Sequence, residues 1–340
     1  MRIGILTSGG DCPGLNAAIR GVGKVAILNY GMEVIGIPSG FTGLLRGESV
    51  QLRDHRLSGI LTMGGTILGT SREKPFKTVM GQPSDKPARL RKNYRAMKLD
   101  ALVCIGGNGT MKTAHLLAAE GLNVIGVPKT IDNDVWGTDL SFGFHSAVAI
   151  ATEAIDRLHS TANSHRRIMV VEVMGHHAGW LALYSGVAGG GDVILIPEQP
   201  YQKESILDCL RKRARSGKPY SIVVVAEGIE VPNRTQGLGA AGQYVAQMIR
   251  EGTGLETRET ILGYVQRGGP PRPFDRLLAT QLGTQAVELI VRGEFDRMAR
   301  LKGDRFGSIP LSSVAGRLKT IPPDLPLLDQ ARKLGTHFGE

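Results

Sequence analysis

Two stretches of the 340-residue sequence carry the residue types best suited to chemistry. One is Val127-Pro128-Lys129-Thr130-Ile131-Asp132-Asn133-Asp134, and the other, a little before it, is Gly106-Gly107-Asn108-Gly109-Thr110. A Gly-rich turn lets backbone N–H groups close on phosphate oxygens, and carboxylates at i and i+2 can divide proton acceptance from magnesium binding. The pairing suggests phosphoryl transfer. Taken singly, the first would also suit an Asx-rich loop capping a helix and the second an ordinary strand-to-helix turn. A third turn, Gly9-Gly10-Asp11-Cys12-Pro13-Gly14, lies where a strand hands over to a helix N-terminus, a place where amides and the helix dipole attract anions.

Neither familiar nucleotide fingerprint is present. Gly107-Asn108-Gly109 lacks the third glycine of a dinucleotide loop, and Met111 precedes Lys112-Thr113 where a P-loop needs glycine. No Gly-x-Ser-x-Gly elbow, His-Glu-x-x-His or metal-spaced cysteine pair occurs, so hydrolase and zinc chemistry lack support. In the second half, Arg167, Met174-Gly175-His176, Glu227-Gly228, Arg258 and Tyr264-Val265-Gln266-Arg267 flank expected strands. Ligands of open α/β sheets bind beyond strand carboxyl ends, so this set suits a sugar phosphate.

The elements that must hold these residues alternate almost from the first residue, as parallel βαβ units do when both faces of a sheet are covered. Strands are expected at Arg2–Thr7, Glu33–Ile37, Ala101–Ile105, Asn123–Val127, Ile168–Met174, Asp192–Ile196 and Ser221–Ala226. Helices are expected at Leu15–Leu28, Pro87–Lys98, Thr110–Glu120, Phe142–Ser160, His177–Gly186, Gln202–Ser216 and Phe274–Val291. The Pro-richer chain after Gly303 reads as an irregular closing segment, and no low-complexity linker divides the molecule.

Forty-one percent hydrophobic residues and 46 glycines suit a tightly turned α/β protein large enough for two packed lobes. No apolar run reaches the length of a membrane span, and the N-terminus is too short in apolar residues for a signal peptide, so a cytoplasmic location is expected. The scattered Cys12, Cys104 and Cys209 suit reduced thiols. The balance of 41 basic and 31 acidic residues gives +10, yet aromatics are only 5%, too few to interleave with basic residues as a nucleic-acid stacking surface requires. Small phosphorylated substrates fit the surplus better.

Over essentially its whole length the sequence resembles the ATP- and pyrophosphate-dependent 6-phosphofructokinases. The motifs that carry the resemblance are Thr7–Gly14 followed by Leu15–Arg20, Gly64–Arg72, Gly106–Thr110, Pro128–Asp134, Val170–Gly175 and Leu262–Gly269, in family order. The resemblance implies an α/β fold of two Rossmann-like three-layer lobes with mostly parallel sheets. Residues 1–143 plus about 271–318 would form the phosphoryl-donor lobe, and 144–270 plus about 319–340 the fructose 6-phosphate lobe. It further implies a homotetramer with active sites shared between subunits.

In that family pattern Asp132 matches the general base that takes the proton of the sugar C1 hydroxyl, with Thr130, Ile131 and Asp134 beside it. Arg72 matches the arginine that neutralises the transferring phosphoryl group, and Gly10, Glu73, Gly107, Asn108, Gly109 and Thr110 line the donor. Met174, Gly175, His176, Glu227, Tyr264, Val265, Gln266 and Arg267 match the sugar-phosphate pocket, while Arg167 and Arg258 match residues lent by a neighbouring subunit. Three positions depart from the pattern. Asn108 replaces an aspartate directed at magnesium, leaving Asp132 and Asp134 as carboxylates for the metal and implying weaker affinity. His176 stands where arginine is usual. Of the residues that bind nucleotide effectors, Arg20 and Lys24 match but Asp54 and His159 do not, so that form of control is not expected.

The donor is read from two positions. Gly109 leaves room for the α-phosphate of ATP where pyrophosphate users carry aspartate, whereas Lys129 is the residue of pyrophosphate users. An aspartate would block ATP by bulk and charge, but lysine only adds attraction, so ATP with magnesium is expected and pyrophosphate is the alternative. NAD and lipid kinases share the Gly-Gly-x-Gly-Thr turn but lack the sugar-pocket motifs. A regulatory paralogue that lost turnover through Asn108 and His176 is disfavoured by the retained Asp132 and Arg72.

Overall fold

The structure, a computed structural model, describes residues 1–77, 84–232 and 240–340. Its strands are β1 (Arg2–Ser8), β2 (Glu33–Ile37), β3 (Val50–Gln51), β4 (Ala101–Gly106), β5 (Val124–Thr130), β6 (Phe142–Gly143), β7 (Ile168–Val173), β8 (Val193–Leu195), β9 (Ser221–Ala226), β10 (Thr257–Ile261), β11 (Arg297–Lys302) and β12 (Arg305–Pro310). The chain divides into two compact units. Unit 1 comprises Met1–Ile131, Val135–His145 and Arg267–Lys319; unit 2 comprises Asp132–Asp134, Ser146–Gln266 and Thr320–Glu340. Arg267 therefore falls in unit 1, although the sequence placed it with the sugar lobe, and the triplet Asp132–Asp134 groups with unit 2.

Unit 1 contains an eight-stranded sheet in the order β12-β11-β5-β4-β1-β2-β3, with β6 beside β5. Its central pairs are parallel, and the outer pairs β2·β3 and β11·β12 are antiparallel. Strands β1, β4 and β5 are almost wholly buried, as a sheet with helices on both faces requires. From β1 the chain moves to β2 on one side and then returns to β4 on the other. That reversal leaves a crevice at the carboxyl ends of β1 and β4, where the register pairs Ser8 with Gly106 and brings the two Gly-rich turns side by side.

The helix Leu15–Tyr30, which carries the first turn's N-terminus, packs against Pro273–Val291 by backbone contact. A Cβ on Gly21 would lie 2.8 Å from the Thr280 carbonyl oxygen, and one on Gly283 would lie 2.7 Å from that of Ala18. Backbone cannot yield as a side-chain tip can, so Gly21→Val should separate the helices. We expect it to cost about 1–3 kcal/mol, read as a lower thermal unfolding midpoint; an unchanged midpoint would show that the pair has slack.

Unit 2 contains a four-stranded parallel sheet in the order β10-β7-β9-β8. Strands β7 and β9 are buried throughout. The unit also holds the helices Trp180–Ala188, Lys203–Arg215 and Ala240–Thr253, with most of Phe144–His165 and all of Pro326–Lys333; Ala240–Thr253 donates a hydrogen bond from its Gly242 N–H to the buried Glu172 Oε2 at 2.6 Å.

Three expectations need correction. The strand expected to end at Val127 runs on to Thr130, because Lys129 and Thr130 pair in parallel with Phe142 and Gly143. Pro128 lacks an N–H for the ladder, which made the segment read as a break. The helix expected from Phe142 begins instead at Phe144 and runs to His165, because Gly143 has φ of +100°, outside the helical basin. The tail after Gly303 is also ordered: β11 and β12 form a hairpin turning at Gly303, with φ of +61°, and the helices Leu311–Val314 and Pro326–Lys333 follow. No helix among the described residues is long and apolar enough to cross a membrane.

Candidate active site

In unit 1 the β1 turn begins with Gly9 at φ +89° and ends with Gly14 at φ +105°, conformations that side-chain-bearing residues seldom adopt. The turn is cross-braced to the segment before Arg72. Gly9 donates its N–H to the Ser71 carbonyl at 2.9 Å, and the Thr70 hydroxyl donates to the Gly9 carbonyl at 2.7 Å. The Asn16 amide holds the start of that segment, donating to the Met63 and Gly64 carbonyls and accepting from the Ile67 N–H at 2.8 Å. These bonds place Arg72, an exposed side chain, next to the turn's anchor. Its neighbour Glu73, expected on the donor, forms a 2.9 Å ion pair with Lys86.

Two cations bear on the same turn. Lys129, only 4% exposed, donates from Nζ to the Gly10 carbonyl. The Arg267 guanidinium also packs against Gly10, where a Cβ would stand 2.9 Å from Nη1. Gly10 is thus the residue that lets a guanidinium touch backbone. Burial pushes the nearby Cys12 thiol up to about 12, against the pull of Lys129 and, more weakly, of Arg267. Two buried or backbone-packed positive charges beside a helix N-terminus make an anion seat of the kind phosphates occupy.

The second turn follows β4. Gly107 precedes the helix Asn108–Ala119, whose first turn contains Gly109 and Thr110. Thr110 is buried, its hydroxyl donating to the Ser8 carbonyl at 3.3 Å, which ties this helix start to β1. Gly109 is exposed, and a Cβ built on it meets no heavy atom within 4 Å. The protein itself leaves space there.

The chain then passes from buried Thr130 and Ile131 into Asp132-Asn133-Asp134. Asp132 is half-buried, Asn133 and Asp134 are buried, and Asn133 takes a left-handed φ of +52°. Left-handed backbone at a non-glycine residue costs of order 1 kcal/mol and persists where surroundings impose it.

In unit 2 the carboxyl ends of β7 and β9 adjoin, their register pairing Val173 with Ala226. Glu227 therefore reaches across to accept the His176 N–H at 2.8 Å and the Gly175 N–H at 3.3 Å. Gln266, fully buried, accepts the Met174 N–H at 3.4 Å and donates to the Gly263 carbonyl at 3.0 Å. Met174 is buried while His176, with φ of +53°, is exposed; Tyr264 and Val265 are exposed as well. Met174, Gly175, His176, Glu227 and Gln266 are thus brought together.

Arg167 and Arg258 are not part of that group. Both lie at the amino ends of their strands, Arg167 just before β7 and Arg258 second in β10, whereas Met174–His176 follow the other end of β7. Six residues of strand span about 20 Å, more than one hexose phosphate can bridge. The arginines converge instead on Glu256, which sequence reasoning passed over. The positions of the nucleotide-effector residues are also paired internally: Lys24 with Asp54 at 2.7 Å in unit 1, and His159 with Tyr220 and the Gly189 carbonyl in unit 2.

Residues 2–290 match the family model described as Phosphofructokinase. The chain belongs to the phosphofructokinase family. Among similar proteins, the ATP-dependent 6-phosphofructokinase 3 of Bacteroides thetaiotaomicron is 62% identical over 340 residues, covering all of both chains. The pyrophosphate–fructose 6-phosphate 1-phosphotransferase of Streptomyces coelicolor is 45% identical over 353 residues, again covering all of both. The solved phosphofructokinase of Saccharomyces cerevisiae superposes with a TM-score of 0.81 at 33% identity, over 92% of this chain and 45% of that one. The chain thus spans under half of that yeast polypeptide. The mixed α/β architecture with mostly parallel sheets is the phosphofructokinase fold.

Proposed function

We propose that this phosphofructokinase transfers the γ-phosphoryl group of ATP to the C1 hydroxyl of fructose 6-phosphate, giving fructose 1,6-bisphosphate and ADP. The observation that carries the choice of donor is the open space at Gly109, on the first turn of a helix whose N-terminus attracts phosphate. The likeness to the Bacteroides enzyme supports it. In this reading Asp132 accepts the C1 proton as that oxygen attacks the γ-phosphorus and the bond to the β-phosphate oxygen breaks. Arg72 and the seat around Gly10 balance the charge that spreads over the phosphoryl oxygens. Met174–His176, Glu227 and Gln266 orient the sugar.

A pyrophosphate-dependent reaction is the second reading, favoured by one observation: Lys129 is buried with its ammonium against Gly10. The Streptomyces relative carries that activity in its name.

Magnesium fits the residues present. Among the described residues no group of three or more His, Cys, Asp or Glu gathers to hold a metal. An ion that keeps several waters and arrives with phosphates needs only one or two carboxylates, which Asp132 and Asp134 supply, with the Asn108 amide oxygen as a neutral donor. Bound there, magnesium would offset charge on the donor phosphates. We expect Asn108→Asp to tighten magnesium by about tenfold; equal metal affinity before and after, in a magnesium titration of the activity, would count against a role for position 108.

The separation of Arg167 and Arg258 from the sugar pocket supports an assembly, a homotetramer on the family pattern, in which each subunit lends these arginines to a neighbour's site. A cytoplasmic location accords with this glycolytic step. The activity is tested by supplying ATP labelled with 32P at the γ position. Label should appear in the C1 ester of fructose 1,6-bisphosphate, and label released to water or placed elsewhere on the sugar would overturn the reading.

A further inference from the structure

We propose that Glu256 is a resident counter-anion, occupying the phosphate position between Arg167 and Arg258 until a sugar phosphate displaces it. The inference rests on the reading of these two arginines as sugar-phosphate ligands. Its geometry follows from strand register. Thr257 pairs in parallel with Ile168, so the residues just before them, Glu256 and Arg167, stand side by side at the amino ends of β10 and β7. Two residues along an edge strand return to the same side, which brings Arg258 level with Glu256.

One oxygen, Glu256 Oε1, accepts from Arg167 Nη2 at 2.8 Å and from Arg258 Nη2 at 2.9 Å. The hydrogen bond from Arg167 holds the carboxyl below its ordinary range, so the group is an anion at neutral pH. A single anionic oxygen shared by two guanidinium groups is the arrangement a phosphate oxygen would adopt there. The fork is not fully used, since Arg167 Nε is buried and finds no hydrogen-bond partner. The surroundings leave Glu256 as the chief partner of the pair: Arg250 turns to Glu259 at 3.4 Å and to the Thr257 carbonyl. The carboxylate keeps two like charges together while the site waits, and lowers the net charge that an incoming phosphate meets.

Removing the charge should therefore improve binding. Glu256→Gln is expected to lower the KM for fructose 6-phosphate by about three- to tenfold at low ionic strength, with the effect falling on KM rather than kcat and shrinking as salt is added. Calorimetric titration with inorganic phosphate, which needs no turnover, should show the same tightening. Glu256→Asp, which keeps the charge, should not lower KM. An unchanged or raised KM for Glu256→Gln, in protein whose melting is normal, would overturn the proposal and leave Glu256 a positioning or purely structural residue. Arg167→Ala and Arg258→Ala separate the two layers of the argument. If they raise KM while Glu256→Gln does nothing, only the counter-anion is lost; if they leave KM unchanged, the reading of the arginines fails and takes the proposal with it.

Discussion

Asp132→Asn should reduce kcat by about three orders of magnitude while leaving the KM values for donor and sugar within a few-fold, the split expected when an interaction exists only in the transition state. The substitution exchanges one oxygen for an NH2 group of the same shape, so the backbone around it, including the left-handed Asn133 and the buried Asp134, has no steric reason to move. What is lost is basicity, together with one of the two carboxylates offered to magnesium, so the comparison is made with magnesium in large excess. A neutral amide cannot take the C1 proton, and the attacking oxygen must then lose it to water. Residual activity would come from the positioning and charge balance supplied by the Gly10 seat and Arg72. A fall of less than about tenfold would move the base elsewhere, because general-base contributions are about a hundredfold at the least.

Gly109→Asp is expected to have the second large effect, and it should fall on the donor rather than on folding. No heavy atom would meet the added Cβ within 4 Å, and an acidic residue in the first turn of a helix is electrostatically welcome there. The fold should accept it. A nucleotide would then meet a carboxylate where its α-phosphate must pass, and like charges so placed cost several kcal/mol, or about a thousandfold in kcat/KM for ATP. Pyrophosphate, which has no third phosphate, should be affected far less. Steady-state kinetics of the variant with both donors decide the matter: equal losses for ATP and pyrophosphate would mean that Gly109 serves the helix rather than donor choice.

Most of the scaffold was legible because the buried strands are continuous apolar runs. Glu33–Ile37 and Ser221–Ala226 fall where the sequence placed them. The strands that were missed lie at or near sheet edges and carry charge. Thr257–Ile261 contains Arg258 and Glu259, and Arg297–Lys302 with Arg305–Pro310 forms a hairpin rich in arginine, so neither shows the apolar signal of a core strand. Boundaries were misread where a single backbone feature decided them, as at Pro128 and Gly143. Among site residues, the Gly-rich turns announce themselves through glycine spacing, and the register of β1 with β4 explains why two of them adjoin. Glu256 carried no such signal. Its link to Arg167 spans 89 positions, and only the parallel pairing of β10 with β7 brings the two together.

The most direct measurement is the initial rate of fructose 1,6-bisphosphate formation from fructose 6-phosphate and magnesium with either ATP or pyrophosphate, with Asp132→Asn protein as the control. A rate with ATP that exceeds the pyrophosphate rate by orders of magnitude, and that disappears in the control, is the expected result. Turnover with pyrophosphate alone would show that buried Lys129, not Gly109, sets the donor, and binding of the sugar without turnover from either donor would contradict the assignment of this chain as a catalyst.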